Sequence, residues 1–215
     1  MLGIAPTNSS TLPHRYFGAV LSVIVVATLA WSAVHPFDWL TWWMEVSWVL
    51  VGFPIIPWLA LRYGITRILL VLLTMHAVIL VIGGHYTYEK VPAGLWVQEW
   101  FDLARNDYDR LGHFVQGFVP ALIARELLRR TSPLQPGRWI AILCIASALA
   151  FSAIFEMIEW GSSVALGASA DAFLGTQGDP WDAQWDMLCA LIGAMCSMAT
   201  LSRLHERELR RMHYA

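Results

Sequence analysis

Apolar residues in this chain fall into long uninterrupted stretches, and the polar ones gather between them. Six apolar segments stand out: Phe17 to Val34, about Trp43 to Leu61, Ile65 to Ile82, Leu111 to Leu128, Trp139 to about Trp160, and about Trp185 to Leu201. Each comes near the roughly 20 residues that a helix needs to cross the hydrocarbon of a bilayer. Long stretches carry no charge and the charges gather between them, the pattern expected when lipid is the solvent for most of the surface. The expected fold is therefore all-α: a polytopic membrane helical bundle of six transmembrane helices, in a single domain spanning residues 1–215.

Details follow from the same pattern. The first segment reads as a retained helix, because Trp31-Ser32-Ala33-Val34 lacks a small-x-small cleavage site and the apolar run exceeds a signal core. Pro54 and Pro57 in the second segment and Pro120 in the fourth remove backbone donors and predict kinks. Between the third and fourth segments lies a long connection, residues 83–110. Its middle, Leu95 to Leu103, is amphipathic and rich in Trp, and is expected to form a helix in the membrane interface, which is compatible with a cap over the bundle.

Charge sets the orientation. Arg15, Arg62, Arg67, Arg125, Arg129, Arg130, Arg138, Arg203, Arg207, Arg210 and Arg211 fall on one side, against Lys90, Arg105 and Arg110 on the other. That second side holds most of the acids: Asp38, Glu45, Glu89, Glu99, Asp102, Asp107, Asp109, Asp171, Asp179 and Asp182. Because Lys and Arg stay in the cytoplasm, the reading is N-in and C-in, with the acidic loops facing outward.

Composition agrees with this picture. Of 215 residues, 57% are hydrophobic and 14% charged, against about 25% charged in a soluble domain. A net charge of -2 gives no footprint for nucleic acid; membrane lipids are the expected partners, and the sequence does not name a protein partner. The twelve Trp sit mostly near segment ends, where an interfacial aromatic belt accounts for them. Cys144, Cys189 and Cys196 lie inside apolar segments and read as small packing residues.

Three segments carry ionisable groups at the same outward end. Asp109 and His113 open the fourth, spaced i, i+4; Glu156 and Glu159 close the fifth, spaced i, i+3; Asp182 and Asp186 open the sixth, spaced i, i+4. Each spacing puts both members on one helix face. Such groups at membrane depth are costly and point to function. Carboxylates with one imidazole match a divalent-metal ligand set: oxygen donors suit Mg²⁺, Mn²⁺ or Ca²⁺, and His admits Zn²⁺. The expected metal ligands are His113, Glu156, Glu159, Asp182 and Asp186, and the expected catalytic residues are Asp109, His113, Glu156, Glu159 and Asp186. Without a metal, crowded carboxylates take up protons and suggest a proton relay. Acids at helix N-termini also favour the macrodipole, which accounts for Asp109, Asp182 and Asp186 but not for Glu156 and Glu159 at a C-terminus.

Other polar residues are secondary. Arg105 and Arg110 flank the cluster, either pairing with its acids or holding a phosphate, and His85 reaches toward it after the turn allowed by Gly83-Gly84. These three are the expected substrate-binding residues. His76 reads as a hydrogen-bonded packing residue, and Glu126 with Arg130 as an ordinary i, i+4 pair.

The strings Gly83-Gly84-His85-Tyr86-Thr87-Tyr88, Arg105 to Phe114 and Gln177 to Met187 resemble those of the YjdF family of bacterial inner-membrane proteins. The resemblance runs from about the second segment to the sixth. It implies a six-helix protein of the inner membrane and supplies no activity. A more distant similarity is to VanZ-like membrane proteins, in the order Asp109 with His113, then Glu156 or Glu159, then Asp186 with Gly193. The stretch between Gly161 and Trp185 is longer than that likeness implies.

Three functions compete on these residues. One is a metal-assisted enzyme acting on a lipid-linked or envelope substrate. Another is a proton- or cation-coupled transporter. The third is a structural or regulatory membrane protein whose polar cluster ties helix ends together.

Overall fold

Each apolar segment forms a helix. The computed structural model describes residues 12–167 and 176–213. Among these the chain is all-helical, with seven α-helices and no strand. They are α1 (Leu12–Ser32), α2 (Trp39–Tyr63), α3 (Arg67–Tyr86), α4 (Pro92–Phe101), α5 (Tyr108–Thr131), α6 (Arg138–Leu166) and α7 (Asp182–His213), with one 3₁₀ turn at Tyr88–Lys90. Asp171 lies outside the described residues, as does part of the stretch between Gly161 and Trp185.

Four helices are long and apolar enough to cross a membrane: Trp39–Tyr63, Arg67–Tyr86, Arg138–Ala165 and Asp182–Met212. The described apolar part of α1, Tyr16–Ser32, is shorter. α5 differs for a physical reason. It carries Asp109, Arg110, His113, Gln116, Arg125, Glu126, Arg129 and Arg130, and most of these are buried against protein. α5 is the central helix, packed on α7, α6 and α3, while α1 and α2 pack on α3. A helix wrapped by its neighbours can be polar at membrane depth, because its charges meet partners and not lipid.

Among the described residues two apolar clusters join the long helices, beside a minor third at Tyr88, Val91 and Tyr108. The larger joins Leu69, Leu70, Val115, Val119, Leu122, Cys144, Ala148, Ala194 and Met198 across α3, α5, α6 and α7. The smaller joins Val25, Trp42, Val46, Val49 and Val81 across α1, α2 and α3. Small residues set the closest approach. A Cβ on Gly117 would stand 1.8 Å from the carbonyl oxygen of Ala190, and one on Gly193 would stand 1.9 Å from that of Phe114. The α5 and α7 backbones therefore touch, a packing only glycine permits.

Three local readings change. α6 continues to Leu166, so Glu156 and Glu159 sit inside a helix, not at its C-terminus. The macrodipole argument about them therefore falls, and their burial takes its place. α3 continues through Gly83 and Gly84 to Tyr86, and the chain turns at Thr87, with φ 59°. The glycines serve close packing: a Cβ on Gly83 would meet the Tyr88 ring at 2.6 Å, and one on Gly84 would meet Glu45 and Val46 at 3.1 Å. The basic tail after Leu201 is the last part of α7. α2 and α5 both run as single helices through their prolines.

α4 forms within the long connection, as expected. It exposes Trp96, Trp100 and Phe101, and its first turn is closed by Pro92. The first residues of α2, α5 and α7 and the last of α3 meet at one end of the bundle, together with the second half of α6.

Candidate metal centre

α5 and α7 run side by side in the same direction, in contact at Gly117 and Ala190. One turn before each of these residues stands an ionisable side chain, His113 and Asp186, and one turn earlier again stand Asp109 and Asp182. Donor atoms of Asp109, His113 and Asp186 all lie within 4.8 Å of one another, and all three residues are buried. His113 Nε2 is 3.6 Å from Asp109 Oδ1, and its Nδ1 is 3.4 Å from Glu156 Oε1 on α6. These distances exceed good hydrogen bonds. Among the described residues His113 Nδ1, Glu156 Oε1 and Asp186 Oδ1 have no hydrogen-bond partner, although their residues are only 4%, 8% and 1% exposed. Buried polar atoms are rarely left so, and a bound ion or water is one way to satisfy them.

The remaining acids of this end surround that core. Glu159 lies beside Glu156 and lines a cavity of about 60 Å³ with Glu45, His76, Tyr88, Asp109, His113 and Gln116. Glu45 on α2 is 2% exposed and accepts a 2.9 Å hydrogen bond from the Tyr88 hydroxyl. Burial, with Glu45 and Asp109 close by, raises the Tyr88 phenol well above its ordinary pKa, so it remains a donor. Among the described residues His76 Nε2 is buried without a hydrogen-bond partner, contrary to the satisfied packing role expected of it.

Two arginines brace the rim. Arg105 hydrogen-bonds Asp182 and the carbonyl of Thr176, the latter at 3.3 Å, and stands 3.9 Å from both Asp109 and Asp179. Burial opposes its charge, but Asp182 and then Asp109 and Asp186 outweigh that and hold its pKa above the ordinary arginine value. Arg110 pairs with Asp107 at 3.0 Å and Asp179 at 3.2 Å, over the ring of Trp185. Asn106 and Gln177 join the two loops through a reciprocal pair of hydrogen bonds of 3.0 and 2.9 Å. Even so, among the described residues eight carboxyl groups (Glu45, Asp107, Asp109, Glu156, Glu159, Asp179, Asp182, Asp186) gather at this end with these two guanidinium groups. Cation binding relieves such an excess.

The structure therefore brings Asp109, His113, Glu156, Glu159, Asp182 and Asp186 to one end of the bundle, with different neighbours for each. Asp109, His113 and Asp186 form the tight group, Glu156 adjoins His113, Asp182 is engaged by Arg105, and Glu159 faces the cavity. His85 is elsewhere, against Trp31 and with Nδ1 2.9 Å from the carbonyl of Ser32 on α1. Sequence reasoning missed Glu45, Tyr88 and Gln116 as part of this place. The signal for Glu45 was its position two turns into α2, flanked by the buried Trp42, Val46 and Val49.

Comparison with known proteins adds a family. The profile described as "Predicted membrane protein (DUF2238)" matches residues 17–207. The chain belongs to this family. It is 50% identical over 183 residues to the inner membrane protein YjdF of Escherichia coli (strain K12), covering 85% of this chain and 88% of that protein. No solved structure matches. The chain is a membrane protein of an uncharacterised family, with several apolar helices.

Proposed function

We propose that this protein crosses the bacterial inner membrane six times, with both termini in the cytoplasm, and holds a divalent metal ion between α5, α6 and α7 at its outward end. The relative's name supports the location. The arginines at the opposite end, including Arg125, Arg129, Arg130, Arg203 and Arg207, support the orientation. The burial of α5 within the bundle supports its crossing the membrane despite its charges. α4 then lies in the outer interface, its exposed Trp96 and Trp100 at headgroup depth.

The observation that carries the metal reading is the convergence of Asp109, His113 and Asp186, with His113 Nδ1, Glu156 Oε1 and Asp186 Oδ1 buried and, among the described residues, unpartnered. Two carboxylates and an imidazole leave coordination positions for water or substrate, as catalytic sites do and closed structural sites do not. Among Mg²⁺, Mn²⁺, Ca²⁺ and Zn²⁺, the imidazole favours Zn²⁺, while the carboxylates also suit the other three. A bound ion would activate water or polarise a phosphoryl oxygen. We read the protein as a metal-assisted hydrolase or transferase for a lipid-linked or envelope substrate at the outer leaflet. Glu156 is placed to take a proton, and Arg105 and Arg110 hold the rim acids in position.

Elemental analysis of the purified protein in detergent, beside a His113→Ala/Glu156→Ala variant, tests this. Near-stoichiometric metal that is lost in the variant supports the reading. Absence of metal in both after incubation with Mg²⁺, Mn²⁺, Ca²⁺ and Zn²⁺ removes it.

One observation favours a second reading. The cavity extends from Asp109 past Glu45 and Glu159 to His76, near the middle of α3. A polar path of that kind suits proton or cation passage. Ion flux in liposomes that falls in Glu159→Gln would favour transport over hydrolysis.

A further inference from the structure

The opposite end of the bundle carries a second, larger cavity. It measures about 300 Å³ and opens between the first turn of α6, the second half of α7 and Arg125 of α5. Its floor is apolar, made by Ile140, Ala141 and Met198. Its polar lining is Arg125, Ser202, Arg203, Glu206 and Arg207.

The charges divide into two groups. Arg125 and Glu206 are satisfied by each other: Glu206 accepts from Arg125 at 2.9 Å, from Arg129 at 2.9 and 3.1 Å, and from Arg210 at 3.3 Å. Arg203 and Arg207 are different. They stand one turn apart on the same face of α7, both are exposed, and among the described residues neither has an ion-pair partner. The cavity therefore has an apolar floor and an uncompensated basic mouth. The N-cap of α6, Gly137, also lines it and makes no side-chain cap, so the positive end of that helix adds to the same field.

Depth is marked independently. Trp139, in the first turn of α6, is 63% exposed, and Leu204 beside the arginines is 52% exposed. A Trp facing outward at the end of a spanning helix sits at headgroup level. The cavity mouth thus lies where phosphates lie and its floor where acyl chains begin.

We propose that this cleft binds an anionic phospholipid of the leaflet on the basic side, its phosphate between Arg203 and Arg207 and the start of an acyl chain against Ile140, Ala141 and Met198. A free phosphate would use the arginines and leave the apolar floor idle. Basic pockets between membrane helices hold lipid headgroups in this way.

The test uses the full chain in detergent micelles with dioleoyl phosphatidylglycerol, dioleoyl phosphatidylcholine or inorganic phosphate added separately. Retained lipid is read by native mass spectrometry, and stability by a thermal scan. We expect retention and stabilisation by phosphatidylglycerol alone, with affinity falling roughly tenfold in Arg203→Gln/Arg207→Gln. Arg62→Gln/Arg211→Gln, which removes the same charge at the same end but outside the cavity, should bind as the wild type does. Equal loss in both double variants would reduce the effect to general surface charge and overturn the proposal. So would equal retention of phosphatidylcholine, or stabilisation by inorganic phosphate to the same degree.

Discussion

The carbonyl oxygen of Ala190 sits 1.8 Å from where a Cβ on Gly117 would be. His113 and Asp186 lie one turn before these two residues on their respective helices, so the contact sets the distance between two proposed ligands. Gly117→Ala should separate α5 from α7, because the obstructing atom is backbone and cannot rotate away. Overpacking of this kind costs about 1–3 kcal/mol. A thermal scan of the variant should show the loss, and bound metal should weaken with it. Gly161→Ala is the control: its Cβ meets nothing within 4 Å, and a helical alanine there should be neutral or slightly stabilising. If Gly117→Ala melted as the wild type does, the close approach would not be what holds the site.

The Glu45–Tyr88 hydrogen bond supports a different prediction. Tyr88→Phe keeps the ring against Gly83 but removes the only donor that the described contacts give the buried Glu45 carboxyl. Leaving such a group unsatisfied costs about 1–3 kcal/mol. Tyr88→Phe/Glu45→Leu, which removes both polar partners, should recover part of the loss. A double variant less stable than Tyr88→Phe would show that Glu45 has another role in the cavity.

Arg105 was open to two readings from sequence, pairing with acids or holding phosphate. Its hydrogen bond to Asp182 favours the first. Arg105→Met leaves Asp182 buried with its main counter-charge gone, which costs about 3–5 kcal/mol in a buried pair. Arg105→Met/Asp182→Asn should fold better than Arg105→Met alone, as read by the yield of monodisperse protein and by melting temperature. If neutralising Asp182 gave no recovery, Arg105 would serve something other than this acid.

Much of this architecture was legible because lipid imposes a simple rule: an apolar run long enough to cross must be a helix. α2, α3, α6 and α7 follow from that rule. The ionisable pairs on α5, α6 and α7 were legible for the same reason, since i, i+4 and i, i+3 spacing in an apolar setting is hard to miss. What was not legible depended on which helix lies inside. α5 tolerates Arg125 and Glu126 because α3 and α7 enclose them, and no single segment reveals its neighbours. Glu45 looked like one more outer acid until α3 was packed against α2 at Gly84. The reach of α6 past Glu159 was hidden because Gly161-Ser162-Ser163 resembles an ending.

Glu126 shows the same effect most strongly. Its pairing with Arg130 at 2.8 Å is the i, i+4 contact that sequence spacing suggests. Yet Glu126 is 5% exposed and also accepts from the backbone nitrogen of Thr66 at 3.2 Å, from the Thr66 hydroxyl at 2.6 Å and from His205 Nε2 at 3.0 Å. His205 is fully buried and its Nδ1 meets Arg125 at 2.7 Å. One carboxylate thereby ties α3, α5 and α7 together. A surface i, i+4 pair is worth about 0.3–0.5 kcal/mol, whereas opening a buried network costs about 3–5 kcal/mol. Glu126→Ala should therefore lower the melting temperature sharply. Arg210→Ala, which removes an exposed contact to Glu206, should change it little. Equal small effects from both would place Glu126 back among ordinary helix-surface pairs.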